Sequence, residues 1–163
     1  QVRFPKREIN FLSPTELESL FNAAICSKNR LLRPLICFLA HTGLRRSGAL
    51  NLLWTDIDEN EGLIHVRMSK NGKSRKIPLE PDALAAITGL KHQHKFVFSH
   101  PDGSRPHEDC FLKPLRTAAK PTGIKRRIDL HTMRHSYGSN KIPDGCVRTG
   151  RPCDDCRCFG TGT

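Results

Sequence analysis

The sequence predicts a mostly α fold with a small antiparallel β-sheet (α+β). Several segments carry apolar residues at helical spacing, which indicates amphipathic or buried helices. Two alternating segments flank an Asn71-Gly72 pair, a strong signal for a hairpin between antiparallel strands. The length of 163 residues allows one ordinary domain with a real core and leaves little room for a second.

The first helix is predicted to begin at a capping box. Ser13 can cap the backbone, Pro14 suits the first helical position, and Glu16 stands three residues after Ser13, from where it can reach back to the cap. The helix should extend over residues 14–25. Its apolar stripe consists of Leu17, Leu20, Phe21 and Ala24.

A second helix is predicted over residues 31–42. It is nearly apolar on every side and should therefore be buried, and Gly43 is placed to end it. Arg45 would then emerge just beyond a buried helix end. A short helix is expected over residues 47–53.

A basic β-hairpin and four short elements follow. The hairpin strands are predicted over residues 63–68 and 74–79, because apolar and polar residues alternate there. Further along the chain, helices are predicted over residues 81–87, over 108–119 in spite of Pro114, and from 129 onward, with a short strand over 95–98.

The charge of the chain indicates a polyanionic partner. Lys and Arg number 27 against 16 Asp and Glu, which gives a net charge of +11. Nucleic acid is the expected partner, with an acidic membrane surface as the lesser alternative. No apolar run approaches the ~20 residues of a membrane span, and the first residues lack a signal-peptide pattern. We therefore expect a cytoplasmic, nucleoid-associated protein with reduced thiols.

The chain divides by composition into three parts. Residues 1–10 form a basic linker, residues 11–140 the predicted domain, and residues 141–163 a tail rich in Gly, Pro and Cys that is expected to be disordered. The tail holds four of the seven cysteines. They are Cys146, Cys153, Cys156 and Cys158. A small zinc site on these thiols is one hypothesis, although the one-residue gap before Cys158 suits a tetrahedral cage poorly.

One short segment near the end of the domain concentrates ionisable groups. His131 and Arg134 are an i, i+3 pair and lie on one face if the segment is helical. An imidazole that moves a proton beside a guanidinium that grips an oxyanion suits a phosphate-handling site. The alternative is a solvated helix face in a basic protein.

Separated fragments of the chain, taken together, resemble the catalytic domain of the tyrosine recombinase (phage integrase) family. The resemblance extends from about Phe11 to Ser139. The fragments are residues 42–47 (Thr-Gly-Leu-Arg-Arg-Ser), 69–79 (Ser-Lys-Asn-Gly-Lys-Ser-Arg-Lys-Ile-Pro-Leu) and 130–136 (Leu-His-Thr-Met-Arg-His-Ser), with support from 12–17 and 53–58.

The resemblance implies roles for four residues. Arg45 and Arg134 match the two arginines that clamp the scissile phosphate, which two guanidinium forks can do by neutralising charge on its non-bridging oxygens. Lys70 matches the lysine that protonates the departing 5′ oxygen, and His131 matches the histidine that assists proton transfer. Neither a metal nor a cofactor is implied.

The resemblance also implies double-stranded DNA as the partner and a homo-oligomer on DNA. Further DNA contacts are expected from Arg46, Lys73, Arg75 and Lys76. Because Lys73 and Lys76 share the hairpin with Lys70, either is an alternative to Lys70 as the catalytic lysine. His41 and His135 are expected to be structural.

The sequence also departs from the family pattern. Gly48 stands where the family usually has an acidic residue, and neither a His or Trp nor a nucleophilic tyrosine is recognisable beyond Tyr137, which is the one tyrosine of the chain. A frameshift or early end after residue 140 is the simplest hypothesis. Two functions stay open, a strand-exchange enzyme fragment and a non-catalytic DNA-binding remnant. We expect that this chain alone neither cleaves DNA nor becomes covalently joined to it.

Overall fold

The computed structural model describes residues 10–67, 74–90 and 94–140, and within them the chain is mostly helical with a small sheet. The α-helices are α1 (Pro14–Ala23), α2 (Leu32–Thr42), α3 (Arg46–Leu50), α4 (Pro81–Thr88), α5 (Asp109–Ala119) and α6 (Leu130–Asn140). The strands are β1 (Ile57–Asp58), β2 (Leu63–Val66) and β3 (Arg75–Pro78). The predicted α+β class is confirmed. The predicted linker up to residue 9, the hairpin tip with Lys70 and Lys73, and the tail from residue 141 lie outside the described residues.

Helix α1 begins at the predicted capping box. The Glu16 backbone N–H donates to Ser13 Oγ at 3.3 Å, and the Ser13 N–H donates to Glu16 Oε2 at 2.8 Å. Arg126 also pairs with the Glu16 carboxylate, which ties the start of α1 to the loop before α6. After Ala23 the helix tightens into a 3₁₀ turn, Ala24–Cys26, so its end agrees with the prediction.

The capping box makes a pH-dependent contribution to stability that can be measured. The pKa of Glu16 is lowered, first by the hydrogen bond from the Ser13 backbone and also by Arg126. A carboxylate with a depressed folded pKa stabilises the protein above its unfolded pKa, and this stabilisation is lost as the pH falls through the folded pKa. Glu16→Gln should therefore lower the free energy of unfolding at neutral pH by about 1 kcal/mol, and the deficit should vanish in acid.

Denaturant unfolding from neutral to acidic pH checks this expectation. Glu18→Gln is the matched control, because Glu18 is an exposed carboxylate on the same helix. A Glu16→Gln deficit that persisted unchanged in acid would contradict the assignment.

Helix α2 is the centre of the core. It packs most extensively against α4 and α6, and Phe38 meets Phe98 edge to face with 5.5 Å between ring centroids. Burial raises the pKa of the Cys37 thiol to about 11, so this cysteine is protonated at neutral pH. The buried side chains of the helix are Leu32, Leu35, Ile36, Cys37, Phe38, Leu39, Ala40 and Thr42. The predicted buried helix is confirmed.

The sheet has the strand order β1-β2-β3, antiparallel throughout. Ile64 is fully buried and lies opposite both Ile57 and Ile77, so one face of the sheet packs on the core. The short strand β1 follows a 3₁₀ turn, Trp54–Asp56. The strand predicted over residues 95–98 is wrong, because Phe96 makes only a single bridge to Leu53. Burial of Val97 and Phe98 explains the apolar pattern there without a strand ladder.

Helix α6 is anchored at its start and along its buried face. Thr132 N–H donates to Asp129 Oδ1 at 2.9 Å, which caps the helix just before Leu130. Ser136 is fully buried and its Oγ accepts the Leu12 N–H at 2.9 Å. The second contact ties α6 to the segment just before α1, and α6 also packs against α2. None of the helices in the described part of the chain is long and apolar enough to cross a membrane.

Candidate nucleic-acid interface

Three arginines from separate elements converge at one end of the sheet. Arg45 precedes α3, Arg75 is the first residue of β3, and Arg134 lies in the second turn of α6. The pKa of Arg134 is lowered, first by burial and then by the positive charges of Arg45 and Arg75. No carboxylate forms an ion pair with any of the three within residues 10–67, 74–90 and 94–140. Neighbouring cations of this kind suit an anionic ligand.

Arg134 is held against the end of α2. Its Nη1 donates to the Gly43 carbonyl oxygen at 2.7 Å, and the side chain is half-buried. Gly43 has a φ of 64°, a left-handed conformation that ends α2, and its N–H bonds to the Leu39 carbonyl at 3.0 Å. Since a guanidinium has five N–H donors, Arg134 keeps donors for a ligand.

A cavity of about 540 Å³ lies between α3 and the sheet and includes two of the three arginines, Arg45 and Arg75. Its carboxylate, Asp56, is nearly fully buried and is already engaged, since it pairs with Arg67 Nε at 2.5 Å and accepts the Leu53 N–H at 3.2 Å. Gly48 also lines the cavity and contributes no side chain to it.

Sequence reasoning missed three residues at this cavity, namely Asp56, His65 and Arg67. Strand alternation could have found two of them. His65 and Arg67 are two positions apart along β2 and its continuation, so their side chains project from the same face. The place of Asp56 at this cavity could not be predicted from its neighbours in the sequence. Its pairing with Arg67 depends on the β1–β2 register.

His131 lies in the first turn of α6 and is exposed, as a group that meets a ligand must be. Its ring packs edge to face against His135, with 4.5 Å between centroids and an angle of 86°. His135, expected to be structural, is therefore the support of the His131 ring. His41 lies elsewhere, with its Nδ1 4.0 Å from Asp82.

The other residues that were predicted to contact DNA lie in different surroundings. Lys76 is exposed on β3 opposite His65, next to Arg75. Arg46 instead forms an ion pair with Glu108, with 2.5 Å between Nε and Oε2, and so faces α5. Lys70 and Lys73 lie outside the described residues. In the described part of the chain no cluster of three His, Cys, Asp or Glu side chains could hold a metal, and the four cysteines of the zinc hypothesis lie in the tail beyond it.

Comparison with known proteins gives the same family as the motifs. The profile of the phage integrase family matches residues 10–146. A tyrosine recombinase of Thermosipho africanus is 31% identical over 147 residues, covering 88% of this chain and 51% of the relative. The chain thus spans about half the length of the curated relatives that it matches.

Solved structures agree on the fold. The XerA recombinase crystal structure superposes with a TM-score of 0.67 at 24% identity, covering 84% of this chain and 51% of that chain. The lambda integrase catalytic core superposes with a TM-score of 0.66 at 18% identity, covering 80% of this chain and 82% of that one. The second comparison matches the catalytic core alone over most of its length.

Proposed function

This chain belongs to the phage integrase family, and we propose that it is the catalytic-domain part of a site-specific DNA recombinase that binds double-stranded DNA and holds one backbone phosphate between Arg45 and Arg134. The observation that supports this proposal is the cluster of Arg45, Arg75 and Arg134, for which the described residues provide no ion-paired carboxylate. A phosphate would neutralise these charges.

In this proposal each residue acts on a defined atom of the phosphodiester. The forks of Arg45 and Arg134 donate to the non-bridging oxygens and stabilise the charge that grows there as the phosphorus is attacked. Lys70 donates a proton to the departing 5′ oxygen, and His131 assists proton transfer at the phosphate. The attacking group in the family is a tyrosine, which forms a 3′ phosphotyrosyl bond that a second DNA strand later reverses.

Tyr137 does not suit the attacking role. Its ring packs against Gly43, in the turn that precedes Arg45, so an in-line approach to a phosphate at Arg134 would require α6 to move. The expectation that this polypeptide alone neither cleaves DNA nor becomes joined to it stays a prediction. A DNA-binding remnant without chemistry is therefore the second candidate. Homo-oligomerisation on DNA and location at the nucleoid also stay predictions.

Salt dependence tests the DNA-binding part of the proposal. Affinity for duplex DNA should fall steeply between about 50 and 200 mM salt, because binding releases counterions from each contacted phosphate. Lys76→Ala should weaken binding similarly on all sequences and reduce the slope of log affinity against log salt by about one. Fluorescence anisotropy with a labelled duplex measures both quantities.

The control for this titration is Lys113→Ala. Lys113 lies at a separate cavity of about 440 Å³ beside α5, and this variant removes the same charge as Lys76→Ala. Equal slopes for Lys76→Ala and Lys113→Ala would show that only net charge matters and would count against a DNA face at β3.

A further inference from the structure

Helix α6 holds Gly43 at two points. The carbonyl oxygen of Gly43 accepts the Arg134 hydrogen bond at 2.7 Å. The Cα of Gly43 faces the Tyr137 ring so closely that a methyl group built there would overlap the ring, coming within 3.0 Å of Cε1 and 3.1 Å of Cγ. Arg134 and Tyr137 are three residues apart on one helix face.

These contacts join the two sides of the proposed phosphate site. Arg45 follows Gly43 by two residues, at the N-cap position of α3, so the position of the Gly43 turn determines where the Arg45 backbone lies. Arg134 projects from α6, one turn before Tyr137. The closeness of the ring to Gly43 therefore sets the distance between the backbones that carry the two guanidiniums.

We propose that Tyr137 is a positioning residue whose ring, packed on Gly43, fixes the spacing of Arg45 and Arg134 across the phosphate site. This inference rests on the function proposed above, in which these arginines bind phosphate. It gives the one tyrosine of the chain a role that requires the aromatic ring and not the attacking oxygen.

The hydrogen bond from Arg134 cannot fix this spacing alone. The arginine side chain has four rotatable torsions, and its guanidinium must also meet the ligand, so it can follow a shifted carbonyl without loss. An aromatic ring has two side-chain torsions and cannot shorten or lengthen. The Tyr137 ring also lines a cavity of about 600 Å³, together with Phe21 of α1 and His41 of α2. Its packing on Gly43 is a close contact that leaves no room for a side chain at that position.

The test compares Tyr137→Ala and Tyr137→Phe in binding to a labelled duplex DNA at a temperature where all variants are folded. Tyr137→Phe keeps the ring and should bind as the unchanged protein does. Tyr137→Ala should bind about tenfold more weakly, the effect of one hydrogen bond to a charged group. The matched control is Phe21→Ala, which removes a partly buried aromatic ring at the same cavity and should leave the affinity unchanged.

A double-mutant cycle separates positioning from general packing. In a protein that already carries Arg45→Ala and Arg134→Ala, adding Tyr137→Ala should cause no further loss of affinity at low salt. An equal loss in both backgrounds, or full affinity for Tyr137→Ala, would overturn the inference. If Tyr137→Ala does not fold, Tyr137→Leu replaces it in the same cycle. Should Arg45→Ala and Arg134→Ala themselves leave binding unchanged, the proposed function fails instead.

Discussion

Arg134→Ala is expected to lower the affinity for duplex DNA by about tenfold or more, because a hydrogen-bonded charge pair contributes about 1.5–3 kcal/mol. The salt slope should fall by about one, as one phosphate contact is lost. Arg134→Lys should recover part of the affinity but not all, since an ammonium is a point charge and cannot form the planar, two-pronged contact of a guanidinium.

The same substitution should have little effect on stability. Removing Arg134 breaks its hydrogen bond to the Gly43 carbonyl, but it also removes a half-buried charge that Arg45 and Arg75 repel. These effects oppose each other, so the free energy of unfolding should change by less than about 1 kcal/mol. Loss of binding without loss of stability is typical of a residue that is retained for its ligand.

Arg116→Ala is the control for Arg134→Ala. Arg116 is an exposed arginine on α5, so the two variants have equal net charge. Fluorescence anisotropy gives the affinities and denaturant unfolding gives the stabilities. Arg134→Ala and Arg116→Ala that bind DNA equally well would contradict the phosphate site.

Most helices could be predicted from the sequence because the features that determine them are local. The capping box at Ser13, the apolar stretch of α2 and the glycine at position 43 each act within a few residues. Arg45 and Arg134 were found through fragments that resemble the family, and the structure brings them together through α2 and α6.

Contacts between segments that are distant in the sequence could not be predicted from it. The sequence gave no indication that Arg46 would face Glu108, because that pair joins α3 to the start of α5. Arg75 was predicted to contact DNA, but its closeness to Arg134 depends on how the sheet meets α6. The wrong strand over residues 95–98 has the same origin, since burial of Val97 against the core imitates a strand pattern.

Gly43→Ala is expected to lower the free energy of unfolding by about 2–5 kcal/mol. The backbone φ of 64° costs a residue with a Cβ about 1–2 kcal/mol, and the overlap with the Tyr137 ring adds an overpacking cost of about 1–3 kcal/mol. DNA affinity should fall as well, because relief of the overlap displaces the turn that carries Arg45.

Gly138→Ala is the control for Gly43→Ala. Gly138 lies within α6 and has open space where a Cβ would be, so the substitution should stabilise the protein by about 0.5–1 kcal/mol. Denaturant unfolding should show a lower free energy of unfolding for Gly43→Ala and a higher one for Gly138→Ala. A Gly43→Ala variant as stable as the unchanged protein would contradict both the backbone cost and the overlap with the Tyr137 ring.

The double variant Gly43→Ala, Tyr137→Ala separates the two costs at Gly43. Without the ring the overlap disappears, whereas the left-handed backbone stays unfavourable for alanine, so adding Gly43→Ala to Tyr137→Ala should cost only the backbone term of about 1–2 kcal/mol. If Gly43→Ala lowered the free energy of unfolding by the same amount in the Tyr137→Ala background, the whole loss would come from the left-handed backbone. In that case the ring would not determine where the Gly43 turn lies, and the spacing of Arg45 and Arg134 would depend on the end of α2 alone.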